Sequence, residues 1–328
     1  MVQSKPKSIK EDLKTGDFKN IYLLFGEERF LVSYYSKALE ETGYDKDVFD
    51  GKVGVQEIIM AASTLPFLTE KRLIYVRDSK LFTSGRKDDS EAMAVFLPNV
   101  PPETIMVFVE ADIDRRSRLY KKAAELGRVV DCEPPTPQAL TNWIGKLLKE
   151  KGKTISPPTI TQLIRTVGGN MTTISQEIEK LAAYSASETE ITTTHITAIC
   201  TPTLESKIFD LIKCMSVGQV STALSLYRNM LILKESPLMI LSMIIRQLRI
   251  LLLVKSANAK KMPRTEIAKT LNLRDFIVMD AQEQCRRFSQ EQLLDALEMC
   301  LDVDVKIKTG LVAADVGVEM LIVRFGVN

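Results

Sequence analysis

Histidine and cysteine are scarce in this chain of 328 residues. The single histidine, His195, excludes a metal site with two histidine ligands, and Cys200 lacks the companions that a tetrahedral zinc site needs. The five cysteines contain no CxxC pair, which is typical of reduced thiols in a cytosolic protein. No nucleophile motif accompanies His195. We therefore predict no metal site and no catalytic residues, and interpret His195 as a packing or surface residue.

An excess of one charge and a long uninterrupted apolar run are also missing. The formal net charge is only +2, so any contact with nucleic acid must be local. The longest apolar run, residues 238–254, is interrupted by Arg246, Gln247 and Arg249, which favours a buried helix over a membrane span. Residues 1–14 contain no apolar core of a signal peptide. The sequence therefore predicts a cytoplasmic protein without a membrane partner.

A phosphate-binding loop is the third absence. The apolar run 21–25 ends at Gly26, as a buried parallel strand does, and the following loop is where a nucleotide would bind. The motif GxxxxGK[ST] needs glycines, a lysine and a hydroxyl. Here Gly26 is followed by Glu27 and Glu28, whose carboxylates would repel phosphate. We therefore predict no nucleotide cofactor. Glu110, which follows the apolar strand at residues 105–109, only faintly resembles the acidic residue of a Walker B strand.

Strands and helices alternate in the first part of the chain and give way to helices after a proline-rich linker at residues 133–137. The predicted strands are residues 21–25, 47–50, 72–77, 105–109 and 129–131. Such alternation indicates a parallel α/β sheet. We predict three domains: an α/β domain over residues 1–136, a small helical domain over 137–203 and a larger all-helical domain over 204–328.

The most informative stretch joins a helix to a strand between residues 55 and 77. Apolar residues recur with helical spacing at Val55, Ile58, Ile59 and Ala62. Pro66 ends this helix. If the helix continued beyond Pro66 with the same period, Phe67 would point about 120° away from the apolar stripe. The segment Leu65-Pro66-Phe67-Leu68, called the tip below, therefore does not share the core face of the helix. The residues alone leave two interpretations, a corner whose Phe67 plugs the core and a wedge that binds a partner.

Two local basic clusters are candidate contacts with phosphate. One consists of Arg115, Arg116 and Arg118, and the other of Lys260, Lys261 and Arg264. Lysine and arginine side chains in either cluster could bind DNA by releasing its counterions. A solvated face is the alternative interpretation of each cluster.

Six segments, read in order, carry a family resemblance. They are IYLLFGEERFL at 21–31, TLPFLTEKRLIYVRD at 64–78, DIDRRSRLYKKA at 112–123, GGNMTTISQEIEKLAAY at 168–184, IFDLIKCM at 208–215 and RFSQEQLLDALEMCLDVDVKIKTG at 287–310. With these segments, essentially the whole chain resembles the delta subunit of the bacterial DNA polymerase III clamp loader.

The resemblance implies an AAA+-like α/β domain without a functional P-loop, followed by a small helical lid domain and an all-α collar domain. It implies a subunit of the DNA polymerase III holoenzyme, a nucleotidyltransferase complex, with no catalytic activity of its own. The implied partners are the sliding clamp, the clamp-loader ATPase subunits and the delta-prime-type subunit through the collar, and primed DNA within the complex.

The resemblance also implies a role for the tip. In this family a hydrophobic pair at the end of the helix before the third strand opens the clamp, and the match falls on Leu65, Pro66, Phe67 and Leu68. Pro66 departs from the simple Leu-Phe pair of the family. The resemblance therefore leaves open whether Leu65, Leu68 or both form the hydrophobic pair with Phe67. Two other functions stay open: an ATP-hydrolysing AAA+ protein with an atypical phosphate loop, and a helical DNA-binding adaptor.

Overall fold

The computed structural model describes the backbone of residues 7–327 and the side chains of residues 9–326. Residues 1–6, which begin the segment predicted to lack a signal core, and residue 328 lie outside the described range. The chain divides into two compact units, and the division falls between Pro135 and Thr136. This point lies within the proline-rich linker.

The first unit alternates helices with parallel strands. Its elements are α1 (Lys7–Thr15), β1 (Ile21–Phe25), α2 (Arg29–Glu40), β2 (Asp45–Asp50), α3 (Val55–Ser63), β3 (Arg72–Arg77), α4 (Lys87–Phe96), β4 (Thr104–Val109), α5 (Arg118–Leu126) and β5 (Arg128–Asp131). The strands form one sheet in the order β2-β3-β4-β1-β5, and every neighbouring pair is parallel. The predicted α/β class is confirmed.

Helices cover both faces of this sheet. On one face, Tyr35 of α2 shares a hydrophobic core with Leu24 of β1. On the other face, Ile58 of α3 and Met93 of α4 share a core with Leu23 of β1. Because both faces are buried, the central strands need continuous apolar sequence instead of an alternating pattern.

One buried carboxylate ties α1, a helix that the sequence did not predict, to this sheet. Asp12 is 4% exposed, and it accepts hydrogen bonds from Nε and Nη2 of Arg128 and from the hydroxyl of Tyr22, each 2.8 Å long. Burial alone would raise the pKa of Asp12, but the bonds from Arg128 and Tyr22 outweigh it and lower the pKa. The carboxylate is therefore ionised and paired at neutral pH.

The second unit is helical apart from one pair of very short strands. Its first part contains α6 (Pro137–Glu150), β6 (Thr154–Ile155), α7 (Pro157–Val167), α8 (Met171–Tyr184), β7 (Glu190–Ile191) and α9 (Thr193–Ile199). The strands β6 and β7 pair in parallel. The sequence did not predict this pair, because strands of two residues have no detectable periodicity.

The second part of this unit is a bundle. Its helices are α10 (Leu204–Met215), α11 (Val220–Ile232), α12 (Pro237–Ala259), α13 (Arg264–Thr270), α14 (Asp275–Gln284), α15 (Gln290–Lys308) and α16 (Ala314–Val327). By length and composition alone α12 could cross a membrane. It packs against α10, α14, α15 and α16, however, and seven of its residues are buried. The apolar sequence of α12 is thus explained by its central position in the bundle.

We expect Asp12→Ala to lower the free energy of unfolding by about 3 kcal/mol, because it leaves the guanidinium of Arg128 and the hydroxyl of Tyr22 without their buried partner. Chemical denaturation measures this change. The matched control is Glu11→Ala, which alters an exposed carboxylate on the same helix and should change stability by less than about 0.5 kcal/mol.

The difference between wild type and Asp12→Ala should also depend on pH. Since the folded-state pKa of Asp12 lies below its ordinary value, the stabilisation is complete above the unfolded pKa of about 3.9 and disappears as the pH falls through the folded pKa. A difference in stability that stays constant through this acidic range would contradict the assignment of Asp12 as an ionised, paired carboxylate.

Candidate functional site

The tip between α3 and β3 exposes its large apolar side chains. Phe67 is 93% exposed, Leu68 is 80% exposed and Leu65 is 64% exposed. The interpretation of Phe67 as a plug of the core is therefore wrong. Contiguous exposed apolar side chains commonly mark a site of interaction, and the packing of the first unit does not account for these three.

The sequence of α3 places the tip outside the core. Val55, Ile58 and Ala62 of α3 are buried, so the inner face of the helix is already used. Thr64 leaves the helix with φ −81° and ψ 127°, and Pro66 prevents its continuation. The chain then turns at the amino-terminal edge of the sheet, where β3 begins.

The backbone of the tip is held in place. Oδ2 of Asp45, the first residue of β2, accepts hydrogen bonds from the N–H groups of Phe67 (3.3 Å) and Leu68 (3.1 Å). The N–H of Asp45 donates to Oγ1 of Thr69 at 3.1 Å, and this hydroxyl donates to the carbonyl of Lys71 at 2.6 Å. The N–H of Leu68, and then that of Phe67, lowers the pKa of Asp45. The tip therefore combines a fixed backbone with exposed side chains.

A polar cleft lies at the opposite, carboxyl-terminal edge of the same sheet. It follows β1, β4 and β5 and has a volume of about 610 Å³. Ligands of open α/β sheets bind at this edge. The charged residues that line the cleft are Glu27, Asp112, Asp131, Glu133, Arg29 and Arg115. Four carboxylates against two guanidinium groups make the cleft unfavourable for a nucleotide phosphate.

Groups of the chain itself occupy the start of α2, where a phosphate would be expected. Oε1 of Glu28 accepts a hydrogen bond from the N–H of Phe30 at 3.1 Å, so a carboxylate takes the anion position at this helix terminus. The N–H of Glu28 donates to the carbonyl of Cys132 at 2.9 Å. A Cβ on Gly26 would lie 2.4 Å from that carbonyl oxygen. Gly26 thus permits a close contact with Cys132.

Glu110, at the end of β4, stabilises a turn. It is 1% exposed and accepts hydrogen bonds from the N–H groups of Ser79 (3.2 Å) and Lys80 (3.1 Å) and from the Ser79 hydroxyl. Burial raises the pKa of Glu110. Lys80 has a φ of +59°, and the bonds to Glu110 hold this uncommon conformation. The residue that resembled a Walker B acid thus has a structural role.

The two predicted basic clusters differ in how far their charges are already neutralised. In the first cluster each arginine pairs with a carboxylate: Arg115 with Asp131, Arg116 with Asp114 and Arg118 with Glu91. In the second, Arg264 pairs with Asp275 at 3.0 Å. Lys260 and Lys261 are exposed, and neither has an ion pair within the described part of the chain. These two lysines are the most available of the six predicted positions.

His195 belongs to a helix cap. It is 8% exposed, and its Nδ1 accepts a hydrogen bond from the N–H of Thr192 at 3.2 Å. The ring of Tyr184 packs edge-on against it, with 6.0 Å between ring centroids. These contacts agree with its interpretation as a packing residue. Within residues 7–327, no three His, Cys, Asp or Glu side chains are grouped so that they could hold a metal ion.

An apolar groove lies between α15 and α16 and was not predicted. Its volume is about 480 Å³. The apolar side chains that line it include Met299, Val303, Val312, Val316, Met320 and Val323. Met320 is 59% exposed and Val316 is 47% exposed. A groove of this composition can accept the apolar face of a helix.

The anchors of the tip were also missed by the sequence analysis. Asp45 lies 22 residues before Phe67 in the chain, and no local motif links the two positions. An aspartate at the start of a strand is by itself a weak signal, because aspartate is also common in turns.

Two family models match this chain. Residues 22–133 match the model described as DNA polymerase III, delta subunit. Residues 205–325 match the model described as DNA polymerase III delta subunit, C-terminal domain. The two matches lie in the α/β unit and in the helical bundle, respectively.

Similar proteins lead to the same family. The DNA polymerase III subunit delta of Bacillus subtilis (strain 168) is 26% identical over 315 residues, which cover 92% of this chain and 91% of that protein. The probable DNA polymerase III subunit delta of Aquifex aeolicus (strain VF5) is 22% identical over 237 residues, which cover 69% of this chain and 68% of that protein.

A solved structure shares the fold. The Bacillus subtilis DNA clamp loader delta protein has a TM-score of 0.69 and 24% sequence identity, and the match covers 98% of this chain and 100% of that chain. The family models, the similar sequences and the shared fold agree. The chain belongs to the DNA polymerase III delta subunit family.

Proposed function

We propose that this clamp-loader delta subunit binds the sliding clamp through the tip, destabilises one interface of the ring and so helps to load the clamp on primed DNA for DNA polymerase III. The observation that carries the proposal is Phe67, which is 93% exposed on a backbone held by hydrogen bonds. A fixed loop loses little conformational freedom on docking. A large aromatic side chain in a partner's pocket is a common hot spot.

Physical arguments support the step from binding to destabilisation. Burial of an exposed leucine or phenylalanine contributes about 2 kcal/mol, and the tip presents three such side chains. A ligand shifts a conformational equilibrium by its differential affinity for the two states. A tip that fits a distorted ring interface better than a closed one therefore favours the distorted interface.

We also infer that the chain neither binds nor hydrolyses ATP and leaves hydrolysis to the ATPase subunits of the loader. The support is the start of α2, where Glu28 takes the anion position, together with the acidic cleft next to it. The alternative of an ATP-hydrolysing protein with an atypical phosphate loop has no comparable support.

For the remaining partners, we infer that the collar, residues 204–328, joins the ATPase subunits and the delta-prime-type subunit. The groove between α15 and α16 supports this inference, and its proposed occupant is an apolar helix of a neighbouring collar.

Contact with primed DNA is assigned to Lys260 and Lys261, because Arg115, Arg116, Arg118 and Arg264 are paired within the chain. The proposed location is the cytoplasm, without a membrane partner.

The double variant Leu65→Ala with Phe67→Ala tests the tip. Because both side chains are exposed, we expect a near-native melting temperature. We expect clamp binding to weaken by about thirty- to a thousand-fold, which corresponds to hot-spot losses of about 2–4 kcal/mol. A clamp-binding titration and thermal denaturation measure the two quantities.

The control for the tip is Val95→Ala, which truncates an apolar residue of α4 that is 56% exposed. This variant should bind the clamp as the wild type does. A tip double variant that unfolds, or that folds and holds the clamp with native affinity, would show that the tip is not the clamp contact.

Nucleotide binding is tested with a labelled ATP analogue. We expect no saturable binding to the purified chain at micromolar concentrations, because carboxylates of the chain line the cleft and take the anion position at α2. The ATPase subunits of the loader serve as the positive control. Stoichiometric binding to the isolated chain would support the alternative function instead.

The collar groove is tested with Met320→Asp. A charge in an apolar interface is unfavourable, so we expect association with the other loader subunits to weaken about tenfold or more, a loss of at least about 1.4 kcal/mol. The control is Leu301→Asp, which places the same charge at a residue of α15 that is 62% exposed and outside the groove lining. Equal assembly of Met320→Asp and wild type would exclude the groove.

A further inference from the structure

The tip makes few side-chain contacts that could fix its conformation. Phe67 and Leu68 are 93% and 80% exposed, so packing contributes little to their placement. Within residues 7–327, the N–H groups of both residues have one acceptor, Oδ2 of Asp45. One carboxylate oxygen on β2 therefore accepts both hydrogen bonds that fix the backbone of Phe67 and Leu68.

A second contact makes this connection reciprocal. The N–H of Asp45 donates to Oγ1 of Thr69 at 3.1 Å, so the strand both accepts from the tip and donates to the residue after it. Asp45 lies opposite Arg72 in the register of β2 and β3. The anchor is thus part of the paired sheet, whose position is set by the core.

We propose that Asp45 is the positioning residue of the tip: its carboxylate preorganises the backbone of Phe67 and Leu68 for docking into the clamp. This inference rests on the proposed function of the tip. Hydrogen bonds from N–H groups to a carboxylate are stronger than those to neutral acceptors. Without them the tip samples more conformations, and the clamp must order it on binding.

The role of Asp45 differs from a contribution to folding. Because the residues that it holds have little contact with the core, their release should affect the melting temperature far less than clamp affinity. A residue needed for folding would change both together. The comparison of affinity with stability therefore separates positioning from a structural role.

Three variants of the full-length chain test the inference. We expect Asp45→Ala to weaken clamp binding about tenfold, equivalent to about 1.4 kcal/mol, with a melting temperature close to that of the wild type. Asp45→Asn keeps an oxygen that can accept both N–H groups, and we expect it to restore affinity to within about threefold of the wild type. Faster amide exchange at Phe67 and Leu68 in free Asp45→Ala is the independent readout.

The third variant, Asp47→Ala, is the matched control. Asp47 lies two residues further along β2 and accepts from Nε of Arg72 at 2.9 Å, and none of its described contacts is with the tip. Its loss should leave clamp affinity and exchange at the tip unchanged. If Asp47→Ala weakens clamp binding as much as Asp45→Ala, the loss of affinity comes from a general disturbance of β2 and not from release of the tip. The inference then fails.

The tip double variant, Leu65→Ala with Phe67→Ala, is measured in the same titration. If it loses clamp binding while Asp45→Ala binds as the wild type does, the tip is the contact but Asp45 does not position it. If the double variant itself keeps native affinity, the proposed function of the tip fails, and the inference about Asp45 fails with it.

Discussion

The packing of α3 against the parallel sheet is the constraint on which the tip depends. Val55, Ile58 and Ala62 occupy the inner face of α3, whereas Leu65, Phe67 and Leu68, which follow the helix, are exposed. The chain must still return to β3, which lies between β2 and β4. This return passes the first residue of β2, and there Asp45 holds its backbone. Burial of one helix face and anchoring of one loop thus together leave Phe67 in solvent.

The two edges of the sheet differ in what they offer to a ligand. At the carboxyl-terminal edge, the usual ligand site of such sheets, the anion position of α2 is taken by Glu28 and the cleft is acidic. At the amino-terminal edge, the tip presents apolar surface. On the proposed function, the chain binds a protein at the edge opposite to the one where open parallel α/β sheets usually bind ligands.

The sequence predicted those features that depend on local pattern. The strands β1, β3 and β4 were located to within one residue, because burial on both faces leaves continuous apolar runs. Helical phase and Pro66 placed Phe67 off the core face of α3. The contacts of α1 could not be predicted, since Asp12 and Arg128 lie 116 residues apart. Asp45 was missed for the same reason, and the clamp as the partner of the tip came only from the family resemblance.

The most direct test of the central claim is a calorimetric titration of the isolated full-length chain with the sliding clamp. If the apolar tip docks into a pocket of the clamp, binding should be saturable without ATP or other loader subunits. It should also show a negative heat-capacity change, because apolar surface is buried. Absence of binding at high micromolar clamp, or binding that requires ATP, would contradict the account.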